Sequence, residues 1–527
     1  MGAGFSCWTV AQSASLYNVA GWGAPYFAAS DALDGRVVLH PFGDDDADSS
    51  SRTEVDLFAV ATAVRERLGS GGPVVLRFPD VACRQAAKLQ SVFDEAINTW
   101  GYSAGFQGVF PVKCCHDETL LISLVADGAR NGFGLEAGSK PELLLALAVL
   151  QRAKTLQPKT ERNSKQDVPA PLLVCNGYKD DGYIQLAISS SSLGLEPILV
   201  LEKPSELAPV IAAVMALPEN AHRPSLGIRA RLGTSHDGQW GATSGDDAKF
   251  GLGAREILWA VQTLAEENML DCLRMLHFHI GSQVSDIATI KEAMRESSQM
   301  YAELVRLGAP MGLIDVGGGL GVDYNGTKGW GGHMSTNYSM QNYANDVVAA
   351  LKDMCTRTGV KPPVVVSESG RAIVSSSAVV VFEVISTQLM GPRVSALSDE
   401  ELKMINRAIE KENASTAKTT VDQLRVMDPS SFLLHNFRAV LSNMITASDA
   451  PMGNIQESLN DAAQFRQEAD RLFRLGIMGL EGRAEAEELF ASVRGLAFEL
   501  ARRIPEGEVP SKEVSALRFV FVTDLSV

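Results

Sequence analysis

Lys113 closes an apolar, aromatic run, Phe106-Gln-Gly-Val-Phe-Pro-Val-Lys113, that reads as a buried strand with the lysine as its last residue. Residues with comparable chemical reach close later apolar runs: Glu136, Asn176, Arg229, His279, the glycines Gly317, Gly318 and Gly319, and Glu368. Taken singly, each has an ordinary explanation. A lysine can snorkel to the surface, Glu136 can be a surface carboxylate, Arg229 an ion-pair partner, His279 a core histidine and the glycines a tight turn. Taken together they suit one task, which is to hold an aromatic cofactor that carries a phosphate. Glycines let backbone N–H groups approach phosphate oxygens. Ser282, in His279-Ile-Gly-Ser-Gln283, adds a hydroxyl, and Arg371, in Ser367-Glu-Ser-Gly370-Arg371, adds a planar fork. His279 can lie flat on a ring, Glu368 can keep a ring nitrogen protonated, and Lys113 can form an imine. That set points to pyridoxal phosphate, whose electron sink depends on a partner for its ring nitrogen.

A metal centre is the competing reading. His277-Phe-His279 puts two imidazoles on one face of a strand, as a barrel metallohydrolase would. Such a centre needs further ligands from other strand ends. The remaining histidines, His40, His116, His222, His236, His333 and His435, close no later strand.

The elements that must position these residues alternate regularly from Phe106 onward. Apolar runs predict eight strands at 106–113, 132–136, 172–176, 197–201, 225–230, 274–280, 312–317 and 363–368. Amphipathic stretches between them predict helices, among them Pro141–Gln151, Glu206–Leu217, Ala254–Met269, Asp286–Leu307 and Met340–Thr358. Strand and helix in alternation imply parallel pairing with right-handed crossovers, and eight such units close a (β/α)8 barrel of the TIM type. A doubly wound open sheet is disfavoured, since no Gly-x-Gly-x-x-Gly follows the first strand.

At 527 residues the chain is too long for one compact core. Residues 1–70 predict an N-terminal segment that contributes to a β-domain, with Trp22–Phe27 approaching a strand and Val37–His40 forming one. Helices are expected at 54–68 and 80–99 around a short strand at Val74–Phe78, and the barrel spans 71–371. Ala372–Ser386 is valine-rich and predicts further β-domain strands within 372–395. Residues 396–505 predict a helical insertion, with helices at 398–414, 431–446, 455–475 and 479–503 and loops at Asn413–Thr420 and Ser448–Gly453. Residues 506–527, with the strand-like run from Leu517, begin a further β-rich portion.

The net charge of −16 and the lack of a basic stripe argue against nucleic acid as a partner, and no apolar run reaches membrane-spanning length. The cysteines, Cys7, Cys83, Cys114, Cys115, Cys175, Cys272 and Cys355, are odd in number and lack zinc-finger spacing, as in a reduced intracellular protein. Met1-Gly-Ala-Gly-Phe-Ser6 matches the loose myristoylation pattern, which chance also produces. The acidic, serine-rich stretch Gly43–Ser51 lacks the glycine and glutamate of a calcium loop and reads as solvated chain. The cytoplasm or a plastid is the expected compartment.

The motifs match a known family. Trp22-Gly-Ala-Pro-Tyr-Phe27, Gln107–Lys113, Phe133-Gly-Leu-Glu-Ala-Gly-Ser-Lys140 and its continuation to Leu144, Val174–Asp180, Lys249-Phe-Gly251, Leu276–Gln283, Ile314–Tyr324 and Ser367–Arg371 resemble the biosynthetic, plant-type arginine decarboxylases. These belong to the alanine-racemase-like (fold III) pyridoxal phosphate enzymes. The resemblance runs over roughly residues 8–525. The long helical insertion separates this group from the ornithine and diaminopimelate decarboxylases, which share the site motifs.

The resemblance implies decarboxylation of L-arginine to agmatine, within polyamine biosynthesis. Lys113 is then the Schiff-base lysine, His279 the ring-stacking residue and Glu368 the ring-nitrogen partner. Ser282, Gly317 to Gly319, Gly370 and Arg371 form the phosphate cradle, and Arg229 and Glu136 support the ring. It also implies Mg2+ as a second cofactor and a homodimer. Family members continue past the point matching Val527, with a Cys-Asp-Ser-Asp-Gly-like loop that crosses the dimer interface. On that comparison the chain as written is expected to bind cofactor but decarboxylate poorly. A non-catalytic cofactor-binding homologue that regulates a full-length decarboxylase, and a diaminopimelate- or ornithine-type enzyme, are the alternatives. Cys114-Cys115-His116 departs from the family's usual Cys-Asn-Gln beside the cofactor lysine.

Overall fold

The apolar runs of residues 106–367 are continuous because their strands are buried on both faces. The computed structural model describes residues 9–43, 53–156, 169–218, 221–234, 248–329, 332–386, 428–446 and 452–503. The chain divides into two compact units, Met1–Phe382 and Glu383–Val527. The first unit opens with β1 (Phe27–Ser30), β2 (Arg36–Leu39) and β3 (Val55–Asp56), an antiparallel sheet in that order. After β4 (Val74–Arg77) come β5 (Phe106–Pro111), β6 (Gly134–Ala137), β7 (Leu172–Cys175), β8 (Glu196–Leu201), β9 (Ser225–Arg229), β10 (Leu273–His277), β11 (Leu313–Asp315) and β12 (Val364–Ser367). Each of β5 to β12 pairs in parallel with the next, and β12 pairs with β5 to close the barrel. β13 (Ala378–Val381) lies antiparallel to β4.

All eight expected barrel strands are present. The five crossover helices named above lie at Lys140–Leu156, Leu207–Met215, Ala254–Glu266, Ile287–Arg306 and Met340–Thr358. Three expectations need correction. β5 stops at Pro111, and Lys113 sits in a 3-10 turn, Val112–Cys114, closed by the Cys115 N–H on the Val112 carbonyl at 3.1 Å. Trp22 and Gly23 belong to a short helix, Val19–Gly23. It ends because Ala24 precedes a proline and takes an extended conformation. The valine-rich stretch from Ala372 begins inside the helix Gly370–Val374, and only Ala378–Val381 is strand. There the turn at Ser369 and tertiary packing override β-propensity.

In the second unit the helices Pro429–Thr446, Met452–Arg474 and Leu480–Arg503 pack around Phe437, Ile455, Ala462 and Val493. Phe437 and Phe465 meet edge to face at 5.5 Å. The expected helix at 398–414, the loop at 413–420, most of the acidic stretch after Gly43 and the run from Leu517 lie outside the described residues. Among the described residues no helix is long and apolar enough to cross a membrane.

Candidate active site

The strand period of two decides which side chains enter the barrel. On β7, Leu172 and Val174 join Val109, Ile198, Val200, Met275 and Val366 in one apolar layer, while Leu173 and Cys175 join the larger core that includes the helices. Leu135, Ile228, Leu276 and Ile314 also belong to that larger core. The next residue on each strand, Glu136, Arg229, His277 and Asp315, therefore points to the interior at the C-terminal end, where such barrels carry their chemistry.

Lys113 Nζ lies 3.5 Å from Glu136 Oε2 and 3.9 Å from Glu368 Oε2; the lysine is half exposed and both carboxylates are buried. Burial acts to lower the lysine's pKa, but the carboxylates of Glu368 and Glu136 outweigh it and hold the ammonium above its usual range. Burial, reinforced by the Glu368 charge, pushes the Glu136 carboxyl up to about 7. Glu368 Oε1 accepts a hydrogen bond from Asn176 Nδ2 at 3.0 Å and lies 3.9 Å from His277 Nδ1. That same Nδ1 is 3.1 Å from Asp315 Oδ2, and Asp315 Oδ1 accepts the Gly317 N–H at 2.8 Å.

His279 Nδ1 accepts the Gly318 N–H at 3.1 Å, so a neutral ring carries its proton on Nε2. A Cβ on Gly318 would sit 3.0 Å from His279 Cε1 and 3.8 Å from Glu368 Oε2, which puts the glycine, the imidazole and the carboxylate around one space. Gly317 has φ +65°, and a Cβ there would lie 2.2 Å from the Phe278 carbonyl oxygen. Gly317→Ala is therefore expected to destabilise the protein by about 1–3 kcal/mol, read as a lower urea midpoint at unchanged slope.

Arg371 Nε and Nη2 donate to Ser282 Oγ at 3.2 and 2.8 Å, and Nη1 donates to Tyr324 Oη at 3.0 Å. The loops that carry these groups are stitched together. Gln283 exchanges two hydrogen bonds with the Val322 backbone, at 2.6 and 3.0 Å, and the Val284 N–H reaches the Gly319 carbonyl. A Cβ on Gly370 would meet Pro111 Cγ at 2.5 Å and Cys114 Sγ at 2.7 Å, so glycine allows the Arg371 helix to pack against the Lys113 turn.

Arg229 Nη1 donates to Glu202 Oε1 at 2.9 Å, and its guanidinium lies over the Phe250 ring, 5.3 Å from the centroid. Glu202 also accepts the Gly177 N–H. Burial raises its carboxyl, but Arg229 and Lys179 more than offset this and hold it below the usual range. Sequence reasoning missed Glu202, Asp315 and Tyr324 as site residues and considered His277 only as a metal ligand. A usable signal existed for Glu202: like Glu368, it directly follows an apolar strand run.

The two histidines of the candidate metal pair have separate partners, His277 with Asp315 and His279 with Gly318. Among the described residues, one group of three potential ligands converges: His277, Asp315 and Glu368. It contains an imidazole and is fully buried, unlike the hydrated oxygen sites that magnesium takes, so these residues do not fit Mg2+. They do fit pyridoxal phosphate. Glu136 Oε2 and Asn176 Oδ1 are buried polar atoms without an aligned hydrogen-bond partner, beside Lys113 and the Glu368 carboxylate. Ser282, Arg371 and the glycine turn offer the donors that a phosphate needs.

The raised Glu136 pKa has a pH consequence. A carboxyl whose folded pKa rises from 4.5 to about 7 contributes stability below pH 4.5 that is lost as the pH climbs to 7. Glu136→Gln is expected to remove that slope in the cofactor-free protein, measured by urea denaturation at several pH values between 4.5 and 8.

A parallel eight-stranded barrel with a lysine, a buried acid and a glycine–arginine cradle at its strand ends defines a pyridoxal-dependent enzyme. Residues 90–375 match the family described as pyridoxal-dependent decarboxylase, pyridoxal binding domain, and residues 429–503 match the arginine decarboxylase helical bundle domain. The chain is 39% identical over 511 residues to the biosynthetic arginine decarboxylase of Parasynechococcus marenigrum, covering 97% of this chain and 70% of that protein. It is 42% identical over 499 residues to that of Thermosynechococcus vestitus, covering 93% and 68%. The crystal structure of the biosynthetic arginine decarboxylase from Campylobacter jejuni aligns with a TM-score of 0.57 at 26% identity, over 92% of this chain and 69% of that one. The chain belongs to the biosynthetic arginine decarboxylase family of pyridoxal-dependent decarboxylases.

Proposed function

We propose that this protein decarboxylates L-arginine to agmatine and CO2 with pyridoxal phosphate. The observation that carries the reading is Lys113 Nζ held between the carboxylates of Glu136 and Glu368 at the barrel mouth. When bound, pyridoxal phosphate supplies the sink for the electron pair left as CO2 departs. The chain's own residues do the rest. Ser282 and Arg371 would hold the phosphate beside the glycine turn, whose Gly317 and Gly318 N–H groups are taken by Asp315 and His279, with Gly370 allowing the close packing behind it. His279 would lie against one ring face. Glu368 would keep a proton at the ring nitrogen. Lys113 anchors the cofactor through Nζ and must first shed a proton. Glu136 Oε2, 3.5 Å away, orients Nζ at the barrel mouth. Arg229, oriented by Glu202, supports the ring.

The same reading takes a homodimer as the working unit, in the cytoplasm or a plastid, with the family resemblance as its support. Release of labelled CO2 from carboxyl-labelled arginine tests the function. Turnover that requires pyridoxal phosphate and prefers arginine over ornithine, lysine and diaminopimelate is expected. Release from diaminopimelate alone would overturn the substrate assignment.

A further inference from the structure

Small parallel barrels normally fill their interiors with branched aliphatic side chains, as the layer of Val109, Leu172, Ile198 and Met275 does here. Directly beyond it the chain buries an imidazole and a carboxylate, His277 and Asp315, each 1% exposed or less. Such a pair is a weak source of stability, because removing two charges from water offsets their attraction. Its geometry points instead to Glu368. The Glu368 carboxylate is held through Oε1, which accepts a hydrogen bond from Asn176 Nδ2 at 3.0 Å and lies 3.9 Å from His277 Nδ1. That leaves Oε2 on the side of Gly318 and His279, where a Cβ added to the glycine would come within 3.8 Å of it, and 3.9 Å from Lys113 Nζ. His277 Nδ1 in turn lies 3.1 Å from Asp315 Oδ2, an ion-pair contact without an aligned hydrogen bond, while Asp315 Oδ1 is tied to the Gly317 N–H of the glycine turn.

We propose that His277 and Asp315 are positioning residues that clamp Oε1 of Glu368 so that Oε2 is presented to the cofactor's ring nitrogen. This rests on the functional reading above. The clamp links two parts of the site that the sequence keeps apart: the glycine turn after β11 reports, through Asp315 and His277, to the acid after β12. Burial opposes a charge on His277, but Asp315 and then Glu368 outweigh it and raise its pKa, consistent with an imidazolium between two carboxylates. The other charged groups near this cluster are Lys113 and Glu136, beside Glu368, and Arg229, on the strand next to that of His277.

The test loads the full-length protein with pyridoxal phosphate labelled with 15N in its ring and reads the nitrogen resonance of the bound cofactor. Asp315→Asn is the informative variant, because an asparagine oxygen still accepts the Gly317 N–H while the charge facing His277 is lost. His277→Gln removes the imidazole and provides a second arm. Wild type should show a protonated ring nitrogen, and Glu368→Gln should move the signal towards the unprotonated position. Asp315→Asn and His277→Gln should move it part of the way, with kcat for arginine down about tenfold and KM little changed. If both variants bind cofactor with the wild-type nitrogen signal, or lose only occupancy while the bound fraction keeps that signal, the clamp is refuted. A wild-type protein that takes up no pyridoxal phosphate overturns the functional reading, and this inference with it.

Discussion

Lys113→Ala gives a folded protein that has lost the visible absorption band of lysine-bound pyridoxal phosphate and at least about 10³-fold of its activity. The size of the loss follows from what Nζ alone supplies. It is the primary amine held between Glu136 and Glu368, and the Val112–Cys114 turn fixes its approach to the barrel mouth. Removing it takes away the covalent anchor and the proton carrier at the same point. Folding survives because the lysine side chain is half exposed. Its loss leaves two neighbouring carboxylates without their cation, so the pocket takes up a proton more readily. Absorption spectra of both proteins at equal cofactor concentration, with thermal melts as a folding control, decide the matter. An unchanged band in the alanine variant would remove Lys113 from its assigned role.

Glu368→Gln separates catalysis from binding. The glutamine keeps the volume and can still accept the Asn176 hydrogen bond through its carbonyl, but an amide cannot hold a positive charge on a facing ring nitrogen. The charge-stabilising term is lost only as the electron pair develops, so kcat should fall about 10²–10³-fold. Cofactor affinity should change only a few-fold, because Ser282, Arg371 and the glycine turn that grip the phosphate are untouched. Steady-state kinetics and a fluorescence titration with pyridoxal phosphate measure the two quantities. A kcat within a few-fold of wild type would show that Glu368 has another role.

The barrel was legible because both its signals are local. Buried parallel strands are short apolar runs, and amphipathic helices of matching length separate them. Residues at the ends of those runs were legible as chemistry for the same reason. Their partners were not. Asp315 meets His277 because β10 and β11 are neighbours after folding, and Glu368 meets Lys113 because β12 pairs with β5 across more than two hundred residues. Tyr324 reaches Arg371 through a loop path that no periodicity encodes. The short misplacement of Lys113 has a local cause as well. The run stays apolar through Val112, but the strand ends at Pro111 and the chain turns there.

Closure of the barrel through β5 and β12 has a consequence for synthesis. As the chain emerges, β6 to β11 can each add to the strand made just before it. The other edge of β5 has no partner until residues 364–367 appear, and β4 waits longer still for β13. At ribosomal rates of about 5–20 residues per second, the β5 edge stays open for on the order of ten to fifty seconds. Through that interval a largely apolar strand, Phe106–Pro111, buried throughout in the folded protein, presents unpaired backbone groups to any other nascent chain. The last turn of the barrel is thus the step most exposed to aggregation, and the one at which a chaperone would have the most to protect.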